Sequence, residues 1–329
     1  MSSNMKKKLF LSIIIILMAL PLSAQEKKQS FLKRIDSLLT KRYRSSNIDT
    51  AYVIRPQTKW RIAARVNFSG SMIETEGMDN GEHFRSEIKA DYKTTVSLAV
   101  SYMGVTLSAA LNPAKLLGKY HDYELNLTSY GKRFGFDFSY QDAKNFSGWR
   151  ETDGVGRFDL PEDMLVVKTY NANAFYNFNH RRFSYPAAFS QSYIQRRSAG
   201  SFQLAASIMG QHGTYKGEPE FDYKLTNIGI GAGYGYNFVP TKKWLLHISA
   251  MPTFIVYSNT SLTFDGDRIP LKYHFPEVII TGRAAIVRQL GTKFIGLSMV
   301  YTFTNNGDED NLALHNSKWR ARAFFGFRL

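Results

Sequence analysis

The sequence predicts an all-β fold: a closed antiparallel transmembrane β-barrel of about twelve strands, carrying a short N-terminal helix. Three observations predict it. First, Ser317 to Leu329 alternates with period two. Trp319, Ala321, Ala323, Phe325, Phe327 and Leu329 share one face, and Lys318, Arg320, Arg322, Gly326 and Arg328 share the other, with Phe324 the one misfit. Lipid on one side of a strand and a wet, charged lumen on the other produce that pattern, and a soluble sandwich does not. Second, beyond the first two dozen residues no apolar run reaches the roughly 18 residues of a membrane helix, yet aromatics make up 14% of the chain. Third, the gaps between strand patterns alternate long and short, as loops on the two sides of a membrane do.

The elements follow in order. Lys6, Lys7 and Lys8 precede the apolar run Leu9 to Leu20, and Pro21-Leu22-Ser23-Ala24 supplies a small-residue cleavage site. Residues 1–24 read as a secretory signal peptide, with Gln25 starting the mature chain. Losing those three lysines lowers the formal charge from +15 to +12, because residues 1–24 hold no acid. Residues 25–59 form a basic amphipathic segment on the periplasmic side. Phe31, Ile35, Leu38 and Leu39 recur at helical spacing after Ser30, a residue type favoured at an N-cap.

The barrel occupies residues 60–329. Its strands start at Trp60, Val96, Val105, Tyr123, Phe134, Tyr170, Phe202, Ile228, Trp244, Pro276, Lys293 and Ser317. The long outside gaps are 70–93, 112–121, 142–165, 212–224, 259–275 and 305–316, and the tight inside turns include Met103-Gly104, Tyr130-Gly131, Val239–Lys242 and Leu290–Thr292. Residues 179–200 break the rule, being a long inside turn. In it His180, Arg181, Arg182, Arg196 and Arg197 flank an aromatic and small stretch containing Phe183, Tyr185, Phe189 and Tyr193. Such a turn folds into the barrel as a plug, docks a periplasmic partner, or is a mere variation in length.

The chain has no cysteine, which excludes disulfides, thiolate metal sites and a lipidated N-terminal cysteine. No histidine has metal-ligand spacing, so neither a metal nor a cofactor is expected. The basic balance lacks any nucleic-acid recognition motif and points to anionic lipid and lipopolysaccharide. Asp308-Glu309-Asp310 reads as a solvated acidic loop. The C-terminal strand is the expected signal to the barrel assembly machinery, and the expected location is the outer membrane.

Closure pairs the first strand with the last. Arg61 and Arg65 then share the lumen with Arg320, Arg322 and Arg328, and Arg283 faces inward on its own strand. Buried like charges need counter-charges, with Glu124, Asp137 and Glu277 as candidates. His247 and Ser249 leave one face of one strand, the relation a serine hydrolase needs between base and nucleophile. Outer-membrane phospholipases and lipid A deacylases carry a similar pair facing lipid, whereas here the pair faces inward and no third member is identifiable from sequence. The glycines at 229, 231, 233 and 235 predict close packing against something in the lumen, or a sharp bend.

Several stretches resemble a Bacteroidetes-type family of uncharacterised exported proteins, the domain of unknown function DUF4421. They are Asp49-Thr50-Ala51-Tyr52-Val53-Ile54-Arg55-Pro56, Phe183-Ser184-Tyr185-Pro186-Ala187-Ala188-Phe189-Ser190-Gln191 and Gln195-Arg196-Arg197-Ser198-Ala199-Gly200-Ser201. The resemblance implies an outer-membrane barrel and brings no catalytic residues. The expected function is a narrow pore or structural surface protein with an arginine-rich lumen. The alternatives are a lipid-modifying serine hydrolase, or an accessory barrel binding a partner through residues 179–200.

Overall fold

The computed structural model describes residues 33–34, 36–41 and 47–329, apart from 80, 103–104, 112–122, 145, 161–163, 218–219, 265, 271–272, 274 and 309–311. The expected signal peptide, Ser30, Phe31, Ile35, His121, His274, Glu309 and Asp310 lie outside the described residues, as does the side chain of Glu124. Residues 33–34 and 36–41 are helical and belong to a separate unit that ends at Ser46.

From Asn47 onward the chain is almost all strand. In order these are β1 (Val53–Ile54), β2 (Trp60–Asp79), β3 (Glu82–Ala90), β4 (Lys93–Tyr102), β5 (Val105–Leu111), β6 (Tyr123–Tyr130), β7 (Phe134–Ala143), β8 (Phe146–Thr152), β9 (Gly156–Leu160) and β10 (Leu165–Asn177). There follow a helix at Tyr185–Phe189, then β11 (Ile194–Gln195), β12 (Ala199–Tyr215), β13 (Phe221–Thr241), β14 (Trp244–Phe264), β15 (Asp267–Pro270), β16 (Val278–Leu290), β17 (Lys293–Asp308) and β18 (Leu312–Arg328).

One antiparallel sheet runs β6-β7-β10-β12-β13-β14-β16-β17-β18-β2-β3-β8-β9. β4 pairs β2 below β3 and carries β5 on its other edge. The last long strand therefore pairs the first, from Leu312 opposite Gly77 to Arg328 opposite Arg61. The backbones of Trp60 and Leu329 exchange hydrogen bonds of 3.1 and 2.9 Å at the end of that seam. No ladder joins β5 to β6 among the described residues, so the hydrogen-bonded sheet is not a complete ring.

Burial runs opposite to that of a soluble protein. Phe202 and Ile248 are 69% and 68% exposed, while Asn237 and Arg283 are 0% and 3% exposed. The apolar row of each strand faces out and the polar row faces the concave side. Side chains meet across that side from strands far apart in the sheet. Arg283 of β16 contacts Asp137 of β7, Asn316 of β18 contacts Gln211 of β12, and Lys318 of β18 contacts Gln141 of β7. At the end away from the seam's terminus, the interior fills with Ile73, Phe146, Leu165, Val167 and Tyr215.

Strands run well past the predicted limits. The expected outside gaps 70–93 and 142–165 are largely β2, β3, β8 and β9. Parts of these extensions are polar on both faces, as in Glu74-Thr75-Glu76, so the period-two alternation is interrupted although the ladder continues. Phe324, the apparent misfit of the last strand, is buried with its ring 6.2 Å from that of Phe294. Each ring covers a glycine: a Cβ at Gly326 would overlap Phe294 Cζ, and one at Gly296 would lie 2.6 Å from Phe324 Cζ. The inner row therefore tolerates an aromatic because the neighbouring strand supplies an empty place.

Candidate functional site

The long turn between β10 and β12 lies inside the curled sheet. Phe183, Tyr185, Ala187 and Ala188 are fully buried, and Phe189 and Tyr193 nearly so. Pro186 at the start of the short helix has the fixed φ that a first helical turn accepts. Gln191, with φ at 50°, turns the chain back, and its Nε2 donates to Ala188 O at 2.9 Å. The aromatic rings meet walls on different sides. Tyr185 packs on Phe175 of β10 at 4.6 Å and on Tyr130 of β6 at 5.2 Å. Phe183 sits against Gly235 of β13, where a Cβ would come within 3.1 Å of its ring. That is the close approach expected of the glycine row. Gly231 and Gly233 instead face the β14 backbone, pressed on the Pro252 and Ala250 carbonyls, beside a register shift after Ile228.

The N-terminal side of the unit is tied to this turn. β1 pairs β11, Asp49 N donates to Arg181 O at 3.0 Å, and Arg182 Nε reaches Asp49 Oδ2 at 3.0 Å. The Tyr52 ring lies beneath the Arg182 and Arg197 guanidiniums at 5.0 and 5.9 Å. Residues 49–54 thus belong with the turn, and the predicted boundary at residue 60 cuts through one structure. The reason is that two-residue strands leave no periodic signal. Arg196 and Arg197 stay exposed.

A hydrogen-bonded chain links turn and wall. Gln195 Nε2 donates to the Arg182 and Arg197 carbonyls at 2.6 and 2.9 Å, and its Oε1 accepts from Ser184 N at 2.9 Å. Asn237 Nδ2 donates to Ser184 O and Gln195 Oε1, both at 3.0 Å. The Asn237 amide is thereby oriented, so its Oδ1 accepts from His247 Nδ1–H at 2.7 Å. That sets the tautomer and leaves His247 Nε2 to accept the Ser249 hydroxyl proton at 3.0 Å. Ser249, His247 and Asn237 therefore stand in nucleophile, base and orienting positions. Sequence reasoning found no third member. Counting back from the turn after β13 would have placed Phe238 there, because an irregularity between Phe238 and Thr241 shifts the register and makes Asn237 the partner of His247. The His247 ring is capped by Phe189 at 4.9 Å and Tyr185 at 5.3 Å, and both His247 and Ser249 are buried.

The arginines are dispersed along the seam. Arg61 donates to Ser101 and, at 3.1 Å, to Thr106. Arg322 Nε donates to Asn67 Oδ1 at 2.7 Å. Arg328 lies over the Phe294 ring at 5.0 Å and reaches Gln191 O at 3.3 Å. Arg65 is buried opposite Phe324. These named bonds run to neutral oxygens, where the sequence reading expected carboxylates at the seam. Hydroxyls and amides can sit between guanidiniums without the desolvation cost of added charges. Asp137 instead crosses the interior to Arg283 at 3.0 Å, and Arg320 lines a cavity with both. Glu277 is buried nearer the opposite end and accepts from Asn306 Nδ2 at 2.7 Å and Gly307 N at 3.0 Å.

Among curated proteins, none matches. The model of a family described as a domain of unknown function, DUF4421, matches residues 47–329. Among solved structures the chain is similar to the outer membrane protein OprG from Pseudomonas aeruginosa, at 10% identity and TM-score 0.28, covering 84% of this chain and 99% of that one. It is similar to the β domain of the Bordetella autotransporter BrkA, at 12% identity and TM-score 0.32, covering 81% and 100%. It is also similar to OmpT of Vibrio cholerae, at 7% identity and TM-score 0.30, covering 83% and 99%. Likeness at that level settles no activity.

Proposed function

From the premise that the chain belongs to the DUF4421 family, we propose that it is a structural outer-membrane barrel of twelve strands whose lumen is shut by its own turn, residues 179–198. The buried aromatic turn carries this reading. Burying Phe183 and Phe189 contributes about 1.5–3 kcal/mol each, which favours the turn staying in place. The location rests on the inverted burial and on an aromatic belt at the turn-bearing end. There Trp60 meets Tyr102 at 4.6 Å, Phe134 meets Tyr176 at 5.1 Å and Phe202 meets Tyr234 at 5.2 Å. Trp319 to Phe327 on β18 spans the nine residues that a tilted membrane strand needs. Closure rests on the β18–β2 and β3–β8 ladders, on the short gap between β7 and β8, and on the cross-interior contacts.

The purified protein in planar bilayers is expected to be silent, and deletion of residues 184–194 is expected to produce channel openings while the gel mobility still shifts on heating. Steady conductance from the intact protein would overturn the plugged reading. Tyr185 and Phe189 are committed to the interior here, so a partner would meet the exposed Arg196 and Arg197 instead.

A second reading has one specific observation in its favour, the Asn237–His247–Ser249 geometry. As a hydrolase the protein would need its turn displaced before a lipid ester could reach Ser249. A fluorophosphonate probe should then label the 184–194 deletion, and Ser249→Ala should abolish the labelling. Equal labelling of both variants, or none in either, removes this reading.

A further inference from the structure

Arg288 stands in a row that is otherwise apolar. It is exposed on the outward row of β16, between Ile286 and the last residue of the strand, Leu290, which are 44% and 42% exposed. A cation on the lipid face is unfavourable unless its head reaches the headgroup layer, where the cost falls towards zero. Its neighbours suit that layer. Trp244 is its register partner on β14, and the guanidinium lies 5.3 Å from the Trp244 ring centre. On the other side Lys293 opens β17 opposite Leu290, with its ammonium 5.8 Å from the ring centre of Phe327 on β18. Lys243, exposed in the turn before Trp244, is set near the same level by the Gln289 N–H, which donates to its carbonyl at 2.7 Å.

The second observation is the lack of counter-charge on this part of the wall. β14, β16 and β18 contain no side-chain carboxylate, and β17 has only Asp308, at its far end. Elsewhere on the same rim the outward rows are aromatic and neutral, with Tyr176 on β10, Phe202 on β12 and Phe238 on β13. The positive charge is therefore gathered in one sector and backed by two ring faces.

We propose that this sector binds the headgroup of one anionic glycerophospholipid, its phosphodiester held between Arg288 and Lys293. The acyl chains lie along the wall over Ile286 and Leu297, which are exposed register partners. That apolar surface beside the cations makes the occupant a lipid and not free phosphate. Cations without a carboxylate favour a headgroup of net negative charge over a zwitterionic one, whose own ammonium would meet them. The proposal rests on the outer-membrane reading given above.

The test uses the full protein in neutral detergent, with phosphatidylglycerol and phosphatidylcholine of equal chain length supplied together. Native mass spectrometry reads the lipid retained, and one phosphatidylglycerol is expected to stay bound in preference to phosphatidylcholine. Arg288→Gln and Lys293→Gln should each weaken that retention roughly fivefold. Arg288→Lys should keep most of it. Arg196→Gln, which removes an exposed charge from the turn and not from the wall, should leave it unchanged. Heat-shifted gel mobility confirms that each variant is folded. Equal retention of the two lipids overturns the proposal, as does parent-like retention by the variant carrying both glutamines. Binding of glycerol 3-phosphate as tightly as phosphatidylglycerol overturns it too. Refolding into vesicles tests the barrel reading separately. A protein that does not insert sinks that reading, whereas one that inserts without preferring phosphatidylglycerol sinks this proposal alone.

Discussion

Gly326 and Phe294 show how single positions shape the inner wall. A methyl at Gly326 would strike the Phe294 ring and would lie 2.6 Å from the Ile62 carbonyl oxygen, which cannot rotate away. Gly326→Ala should therefore destabilise the barrel by about 1–3 kcal/mol, read as a lowered urea midpoint in lipid vesicles. Gly282 on the outer face has nothing within 4 Å of the place a methyl would take, so Gly282→Ala should leave the midpoint near the parent value. Equal effects at the two sites would contradict the packing argument. Phe324 was legible as an exception in the sequence, but its cause was not. A residue that fills a neighbour's empty place leaves a signal only in the pair, and the pair is 28 residues apart along the chain from Gly296 to Phe324.

Among the elements, the turn 179–198 and the segment 49–54 carry what the strand pattern left unexplained. The turn's length and its aromatic content were readable, as was the choice between plug and docking loop. Which of the two it adopts depended on contacts with β6, β10, β13 and β14, and these have no periodic trace. The inward pair His247 and Ser249 was likewise readable from alternation, while Asn237 required a register. The seam followed from the last strand's pattern. The acceptors of Arg61 did not, because hydroxyls on β4 and β5 are ordinary strand residues until Arg61 is set beside them.

The tight turn between β6 and β7 gives this element a pH response. Lys132 there is buried, with its ammonium 5.7 Å from the Tyr193 ring centre. Burial, and then Arg55, Arg133 and Arg181, lower its pKa from 10.5 to about 7. The unfolded chain holds that proton up to 10.5 and the folded chain releases it near 7, so stability rises with pH across that window. Denaturant midpoints should climb from about pH 7 to about pH 9.5, inside that window, and Lys132→Met should flatten the climb. An unchanged slope in the variant would place the response elsewhere.

For the whole molecule, the seam between β18 and β2 is the testable joint. Val66 and Ala323 are register partners on the outer face, and the chain has no cysteine of its own. Val66→Cys with Ala323→Cys should oxidise to a crosslink that changes the mobility of the denatured protein and leaves that of the folded form unaltered. Persistent free thiols under oxidant would mean that the two ends of the sheet do not meet.

The branching of the sheet has a consequence for shape. Near Trp60, the wall between β2 and β7 includes β4, β5 and β6, whereas farther along β3 pairs β8 directly. On the proposed closure, two strands drop out of the circumference between one rim and the other. At about 4.8 Å per strand the far rim is shorter by about 10 Å. β3 pairs β2 only from Met72 onward, past the Gly70 that stands opposite Trp319, so this narrowing falls beyond the stretch of wall proposed to meet lipid. The mouth on that side would be the smaller of the two, and the wider one is the end that carries the buried turn.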